Sequence, residues 1–204
     1  MNQDLVDEIE YMINSLSKSG FFSHEEIIEI LEDQFIEEDI DFSQYDIPSN
    51  DFDNSNFNKL DDVFIRLAEK NIVGVHNCGY DLEEGVGDVF ELYVHLLNNK
   101  FKPEGFCFYT FDDIEEAIYE SKLKIAFGDF ENDKSKALEI GKIVADTLKQ
   151  EFDINWSVNV NEQIEIDPFE WDKSFRDDKN YEIEGAYEAF TSKVKEWIQN
   201  LLNE

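Results

Sequence analysis

From residue 59 onward the chain alternates short apolar strand segments with amphipathic helical segments. Strands separated by helices imply parallel crossover connections, at least in part. The last two apolar segments instead alternate apolar with polar residues across Asn161-Glu162, which is typical of an antiparallel hairpin with one wet face. The predicted fold class is therefore α+β, a central mixed sheet of about five strands flanked by helices. The predicted strands cover residues 72–76, 106–109, 123–127, 154–160 and 163–167.

Two of the helical segments carry long apolar stripes. The segment after the first strand has the stripe Val86, Phe90, Tyr93, Val94 and Leu97. Residues 183–201 repeat apolar side chains every three or four positions, which predicts a long helix that packs on the sheet through one broad face. A partner-binding surface is the alternative explanation of the second stripe.

The first 58 residues have a different character, with 16 acidic side chains and a single basic one, Lys18. Their pattern predicts an amphipathic helix that ends near Gly20. A second helix is predicted to begin at Ser23, because Ser23 and Glu26 form a capping box. The predicted organisation is an acidic N-terminal helical extension, residues 1–58, followed by a mixed α/β domain, residues 59–204.

The charge balance restricts the possible partners. The chain has 49 acidic and 17 basic residues, a formal net charge of -32. Nucleic-acid binding needs lysine and arginine to displace counterions from phosphates, and anionic membranes repel such a surface as well. We therefore expect no nucleic acid and no membrane partner, and a cationic or neutral partner instead. The alternative explanation of the charge is a surface that serves solubility, or a general acidic bias of the proteome, because net charge determines solubility and association rather than fold.

The sequence also predicts the cellular compartment of the protein. We see neither a secretory signal nor an apolar run of about 20 residues, so a cytoplasmic location is predicted. Two cysteines in an intracellular chain are expected to be reduced thiols.

Polar residues follow the first predicted strand in the run His76-Asn77-Cys78-Gly79-Tyr80. Loops at strand ends commonly carry binding groups, because a rigid sheet aims them. If the first two strands are neighbours, Tyr109 and Asp112 reach the same sheet edge, where open mixed sheets bind ligands. The alternative is a structural corner in which Asn77 and Tyr80 satisfy loop backbone groups. The candidate binding residues are His76, Asn77, Cys78, Tyr80, Tyr109 and Asp112.

Three short stretches resemble landmarks of a bacterial family of domains of unknown function. They are residues 74–80, residues 105–109 with Asp113-Ile114-Glu115 after them, and residues 123–128. In that family a histidine often follows the tyrosine of the second landmark, whereas this chain has Thr110 there. The resemblance covers roughly residues 59–167 and implies a common fold and a common polar locus, but no activity.

Two chemical roles are conceivable for the residues after the first strand, a nucleophilic thiol and a metal site. Each of them has a simpler structural alternative. A nucleophilic Cys78 beside His76 is disfavoured, because the carboxylates that follow at Asp81, Glu83 and Glu84 raise a cysteine pKa. A zinc or manganese site could use His76 with the same acids, but a solvated helix start explains their positions equally well. We predict no metal and no cofactor, and the sequence identifies no catalytic residue.

The leading functional hypothesis is a non-enzymatic interaction protein of inhibitor or immunity type with a basic protein partner. It rests on the charge and on the absence of a phosphate loop, a dinucleotide fingerprint and a nucleophile elbow from the sequence. The alternative is a small enzyme or a ligand- or metal-binding module around His76, Asn77, Tyr80 and Tyr109, which requires these side chains to converge on one solvent-reachable pocket. The ligand, the partner, the oligomeric state, the strand order and the packing of residues 1–58 stay open.

Overall fold

The computed structural model describes residues 3–38, 40–177, 179–181 and 183–202. None of the helices in these ranges has both the length and the apolar character needed to span a membrane. The helices are α1 (Gln3–Ser19), α2 (His24–Gln34), α3 (Ser55–Ala68), α4 (Leu82–Asn98), α5 (Phe111–Glu120), α6 (Lys134–Leu148) and α7 (Ile183–Leu202). The strands are β1 (Ile72–Val75), β2 (Gly105–Phe108), β3 (Leu123–Asp129), β4 (Ile154–Asn155) and β5 (Ile164–Ile166).

The strands form one mixed sheet in the order β1-β2-β3-β5-β4. Strands β1 and β2 run parallel, with Val75 opposite Phe108. The β2–β3, β3–β5 and β4–β5 pairs are antiparallel. The predicted α+β class with a mixed sheet is therefore confirmed.

Two hydrophobic clusters cover the sheet, because successive residues of a strand point to opposite faces. Ile72 of β1 and Cys107 of β2 belong to the larger cluster, which also takes in apolar residues of α1, α2, α3, α5 and α6. Their neighbours Val73 and Phe106 belong to a smaller cluster with apolar residues of α4 and α7. α4 and α7 therefore pack together on the smaller cluster.

The two N-terminal helices form as predicted, with α1 ending at Ser19 just before Gly20. The capping box is present, since the Ser23 side chain accepts a hydrogen bond from Glu26 N–H and the Glu26 carboxylate accepts one from Ser23 N–H. Ile9 and Leu31 are buried in the larger cluster together with residues of the sheet. The boundary at residue 58 stays a prediction, because packing does not report independent folding.

A short segment after β5 fastens the N-terminal helices to the rest of the chain. Trp171 donates its indole N–H to the Ser19 carbonyl oxygen at 3.1 Å. The Asp172 carboxylate accepts backbone hydrogen bonds from Asn56 at 2.7 Å and Phe57 at 2.9 Å, and so caps the start of α3 from 115 residues away. Cap interactions of this kind satisfy the free N–H groups of a first helical turn. Lys173 completes the segment and is described with the site below.

The hairpin prediction was right about direction and wrong about extent. Strand β4 covers only Ile154–Asn155 instead of residues 154–160, and Ile154 pairs with Ile166, so Asn161-Glu162 is not a two-residue turn. Val158 has a φ of 61°, a left-handed conformation that no strand residue adopts. The Trp156 indole N–H donates to the Asn159 carbonyl oxygen at 3.1 Å. Local hydrogen bonds therefore replace the ladder that an alternating sequence would otherwise form.

Candidate functional site

The predicted locus lies where β1 and β2 end side by side. His76 follows the last residue of β1, and Tyr109 follows the last residue of β2. The two loops are joined by backbone hydrogen bonds, from Cys78 N–H to Tyr109 O at 2.8 Å and from Phe111 N–H to Gly79 O at 3.1 Å. The parallel pairing of β1 and β2 therefore brings together residues that are 33 positions apart, as was expected if these two strands were neighbours.

His76 and Tyr109 belong to a chain of four side chains, which we call the His76 network: Tyr109, His76, Asp61 and Lys179. The Tyr109 hydroxyl lies 2.8 Å from Nδ1 of His76. Nε2 of His76 lies 3.2 Å from Oδ1 of Asp61, and Nζ of Lys179 lies 3.0 Å from Oδ2 of the same carboxylate. His76 is 8% exposed and Tyr109 is 0% exposed, so the centre of the network is closed to solvent.

The electrostatics fix where the protons sit. Burial lowers the pKa of His76 below its ordinary value of 6.5, and Asp61 only partly opposes this effect. Burial acts to raise the pKa of Asp61, but its hydrogen bond with His76 and the hydrogen bond and positive charge of Lys179 bring it below 3.8. Burial also holds the pKa of Tyr109 well above 10.0. Neutral His76 therefore accepts from the Tyr109 hydroxyl and donates its Nε2 hydrogen to Asp61.

This network predicts a pH effect on stability that is due to His76. The unfolded chain takes up a proton near pH 6.5, whereas the folded chain does so only at lower pH. The unfolded state then binds more protons, so the contribution of His76 is fully present above pH 6.5 and is lost as the pH falls, by at most about 1.4 kcal/mol per pH unit.

The measurement is the free energy of urea unfolding for the wild type and His76→Gln between about pH 5 and 7. Glutamine does not titrate, and the other groups of the network keep their charge in this range. We expect the stability difference between the two proteins to shrink as the pH falls. A difference that is independent of pH would contradict the neutral, buried assignment of His76.

Asn77 and Cys78, the two residues after His76, have side chains in different surroundings. Asn77 has a φ of 45°, and its side-chain oxygen is buried and has no hydrogen-bond partner within the part of the chain that the structure describes. Cys78 is buried, and its thiol donates to the Gly85 carbonyl oxygen at 3.4 Å. Burial, with a smaller effect of Asp88, raises the pKa of Cys78 to about 12. Cys78 therefore lies in the core as a protonated thiol at neutral pH.

Tyr80 and Asp112 lie on the other side of this corner. Tyr80 is 55% exposed, and its ring stacks on Phe111 at a centroid distance of 5.8 Å. The backbone N–H of Asp112 donates to the Tyr80 carbonyl oxygen at 3.0 Å. Tyr80 and Asn77 line a cavity of about 290 Å³ against α1 and α2, and His76 is not among its lining residues. The six candidate residues thus share one corner but do not face one pocket.

Two further cavities flank the His76 network and share Lys179 and Tyr181 as lining residues. One, of about 380 Å³, touches His76 and Asp61 and extends under α7. The other, of about 360 Å³, touches Asn77 and is lined by three cationic side chains and two carboxylates, namely Lys173, Arg176, Lys179, Glu26 and Asp177. Because the carboxylates are interspersed and Lys179 is paired with Asp61, this cavity is of mixed charge.

Lys173, like Asp61 and Lys179, is a residue at this site that the sequence reasoning missed. It is 2% exposed, and its ammonium group donates to the carbonyl oxygen of Gly20. The ammonium also lies 4.3 Å from the ring centroid of Phe21 and 4.7 Å from that of Tyr181, distances typical of cation–π contacts. Burial lowers the pKa of Lys173 to about 8. A lysine between Trp171 and Phe175 was the available signal, because a charge inside an aromatic run needs a specific partner.

The predicted helix starts explain the remaining polar residues. Asp81 caps α4 by accepting from Glu83 N–H at 2.9 Å and Glu84 N–H at 3.0 Å. Thr110 caps α5 in a capping box with Asp113. Within the described ranges there is no group of three or more His, Cys, Asp or Glu side chains that could hold a metal ion. Of the acids after His76, Asp81 therefore caps α4, and the Glu84 carboxylate accepts a hydrogen bond from Tyr80 N–H at 2.9 Å.

The apolar stripe of α4 is largely exposed to solvent. α4 buries Gly85, Val89, Leu92 and Leu96 against the smaller cluster. Of the predicted stripe only Tyr93 is partly buried against that cluster. The exposed set, which we call the α4 face, consists of Leu82, Val86, Phe90, Val94 and Leu97. The helix is apolar around more than half of its circumference, so periodicity alone could not identify the core side.

Comparison with known proteins identifies a family but no individual relative. A family model described as Domain of unknown function (DUF6891) matches residues 2–175. No curated protein and no solved structure matches the chain. The match confirms the resemblance to a domain family of unknown function and extends beyond residues 59–167 to include α1 and α2.

Proposed function

The chain belongs to this family of unknown function, and we propose that it is a non-enzymatic interaction protein, of inhibitor or immunity type, that binds a basic protein partner. The observation that carries the proposal is the way in which the chain uses its few cations. Many of its lysines and arginines form ion pairs with the chain's own carboxylates, while the large excess of acids has no cation within the chain to match it. The paired cations are Arg66, Lys102, Lys122, Lys124, Lys136, Lys149, Lys179 and Lys193.

Such a surface favours association with a partner that supplies the missing positive charge. Opposite potentials steer two proteins together and raise the association rate by about 10- to 1,000-fold at low salt. The carboxylates also repel one another. Burial and repulsion from Glu91 and Glu84 raise the pKa of Asp88, and burial and repulsion from Glu115 raise that of Asp112. A basic partner relieves this repulsion, which adds a favourable term to binding.

The chemistry of the corner supports a binding role over catalysis. Both cysteines are free and buried, and burial raises the pKa of Cys78 to about 12, so neither is suited to act as a nucleophile. Buried thiols also suit the reducing bacterial cytoplasm in which we place the protein. The alternative, a small enzyme or ligand-binding module around His76, Asn77, Tyr80 and Tyr109, would have to use the separate cavities described above.

The test is affinity capture from cells that naturally contain the protein, at about 50 mM and about 500 mM salt, where the Debye length changes roughly threefold. We expect a basic protein to be retained at low salt and released at high salt. With the partner purified, the association rate should fall at least about tenfold between the two conditions. The matched control is an unrelated acidic protein of similar size and net charge. Retention of no basic protein, or only of proteins that the control also retains, would refute the proposal.

A further inference from the structure

The α4 face combines three features: exposed apolar side chains, adjacent carboxylates and an exposed glycine. Phe90 is 39% exposed, Val86 is 42% exposed and Val94 is 57% exposed. Isolated exposed apolar residues need no explanation, whereas a continuous patch marks a site of interaction. Leu82, Val86, Phe90 and Val94 follow one another at four-residue steps, so they form a continuous ridge along a helix about 25 Å long.

Carboxylates border this ridge on its solvent side. Glu83 lies three positions before Val86, and Glu91 lies three positions before Val94, so both neighbour ridge residues on the helix surface. Both glutamates are exposed. On the other side of the ridge lies the face that α4 buries against the sheet. A ligand on the ridge would therefore meet negative charge along one flank only.

Gly87 lies four positions from both Glu83 and Glu91 on the exposed side of α4. A Cβ atom built at Gly87 would meet nothing within 4 Å, so no internal contact requires glycine there. Glycine inside a helix lowers the stability of the helix by about 0.5–1 kcal/mol relative to alanine. Gly85, two positions away, is different, because its Cβ would lie 2.5 Å from Phe108. Gly87 instead leaves a notch in which the side chain of a partner can approach the α4 backbone.

The centre of the ridge is held in place before any partner arrives. The Phe90 ring contacts Phe130 edge-on at 5.6 Å and Phe106 at 6.3 Å. Tyr93 stacks on the same Phe130 at 4.0 Å with an interplanar angle of 5°. A surface that is ordered in advance loses less side-chain entropy on binding.

We propose that the α4 face is the docking site for a basic amphipathic helix of the partner protein, with its apolar stripe on the ridge and its lysines or arginines beside Glu83 and Glu91. This inference rests on the proposed function and adds the place and the shape of the contact. A ridge with a neighbouring notch is the surface that a second helix packs against. A second copy of the chain is disfavoured as the occupant, because two molecules of charge -32 repel each other. An anionic lipid surface is disfavoured for the same reason.

The test uses a synthetic helical peptide of about 18 residues, composed of leucine and lysine, with leucines on one face and lysines along one flank. Its control is a peptide of the same composition in scrambled order, which keeps the charge and loses the stripe. Binding is measured by fluorescence anisotropy, and the contact is mapped by amide chemical shifts of the full-length protein. We expect the amphipathic peptide to bind at least about tenfold more tightly than the scrambled one. The largest shift changes should fall on α4.

Paired variants separate this contact from general charge attraction. Glu83→Lys with Glu91→Lys should weaken peptide binding about tenfold, whereas Glu8→Lys with Glu10→Lys on α1 makes the same charge change and should weaken it less than about threefold. Gly87→Leu fills the notch without an internal clash and should also weaken binding about tenfold. Ile36→Asp, at an apolar residue that is 75% exposed elsewhere, should have no effect. Circular dichroism confirms that each variant is folded.

The outcomes distinguish this inference from the proposed function. Equal binding of both peptides, or shift changes spread over α1 and α2, would refute the α4 face as the docking site. Neither result would refute the proposal that the partner is a basic protein. A dimer in analytical ultracentrifugation that Gly87→Leu dissociates would make a second copy the occupant and refute the inference. Failure of cell-derived capture to yield a salt-sensitive basic protein would refute the proposed function itself.

Discussion

Gly20→Ala is expected to lower the free energy of unfolding by roughly 2–4 kcal/mol, since it adds both backbone strain and overpacking. Gly20 has a φ of 69°, in the left-handed region that favours glycine. A Cβ atom at this position would overlap the carbonyl oxygen of Lys173 and lie 2.7 Å from its carbonyl carbon. Backbone atoms cannot rotate away as a flexible side chain can. The substitution should therefore loosen the contact between Gly20 and Lys173, which joins the N-terminal helices to the segment after β5.

Gly87→Ala is the matched control, because it makes the same chemical change where φ is helical and the space is open. It should raise the free energy of unfolding by about 0.5–1 kcal/mol. Urea unfolding followed by circular dichroism and by tryptophan fluorescence measures both variants. Two variants of similar stability would show that the approach of Gly20 to Lys173 is not required by the fold.

His76→Ala should lower the free energy of unfolding by about 3–5 kcal/mol, the range for removal of a large buried ring. The imidazole lies among aromatic rings, with centroid distances of 4.6 Å to Phe64 and 5.2 Å to Phe57. Its loss leaves a cavity and also removes the acceptor of the Tyr109 hydroxyl and the donor to Asp61. Each buried polar group that is left without its partner adds about 1–3 kcal/mol to the loss of stability.

His24→Ala is the control for this prediction. His24 is exposed in the first turn of α2, and its removal should change stability by less than about 0.5 kcal/mol. Urea unfolding at pH 7 compares the two variants under conditions where wild-type His76 is neutral. A loss at His76 no larger than that at His24 would mean that the network contributes nothing to the fold and would reopen a purely functional role for His76.

The elements that could be predicted from the sequence are those specified by nearby residues. The start of α2 at Ser23 follows from a capping box within four residues, and this box is present. The strands around Val75 and Phe108 follow from short apolar runs between helical segments. The meeting of His76 with Tyr109 followed from the parallel pairing of these two strands.

The prediction of a strand over residues 154–160 was wrong because local preference and distant packing compete there, and the same competition decides which side of α4 is buried. The alternation at residues 154–160 favours a strand, but Val158 takes a left-handed conformation and the chain closes on itself through the side chains of Asn159 and Glu162. On α4 the residues Val86 and Phe90 form a regular stripe, yet the helix buries Val89 and Leu92 instead. A stripe shows that a helix has an apolar side, and it does not show which partner covers that side.

The sequence by itself determined the acidic character, the α+β class with its mixed sheet, the helix caps and the corner at His76, because each depends on composition or on residues a few positions apart. Only the tertiary structure decided that Asp61, Lys179 and Lys173 join that corner, and that the ridge of α4 faces water. These contacts link residues up to 153 positions apart. Their energies depend on burial and on distances between side chains, quantities that exist only after the chain has folded.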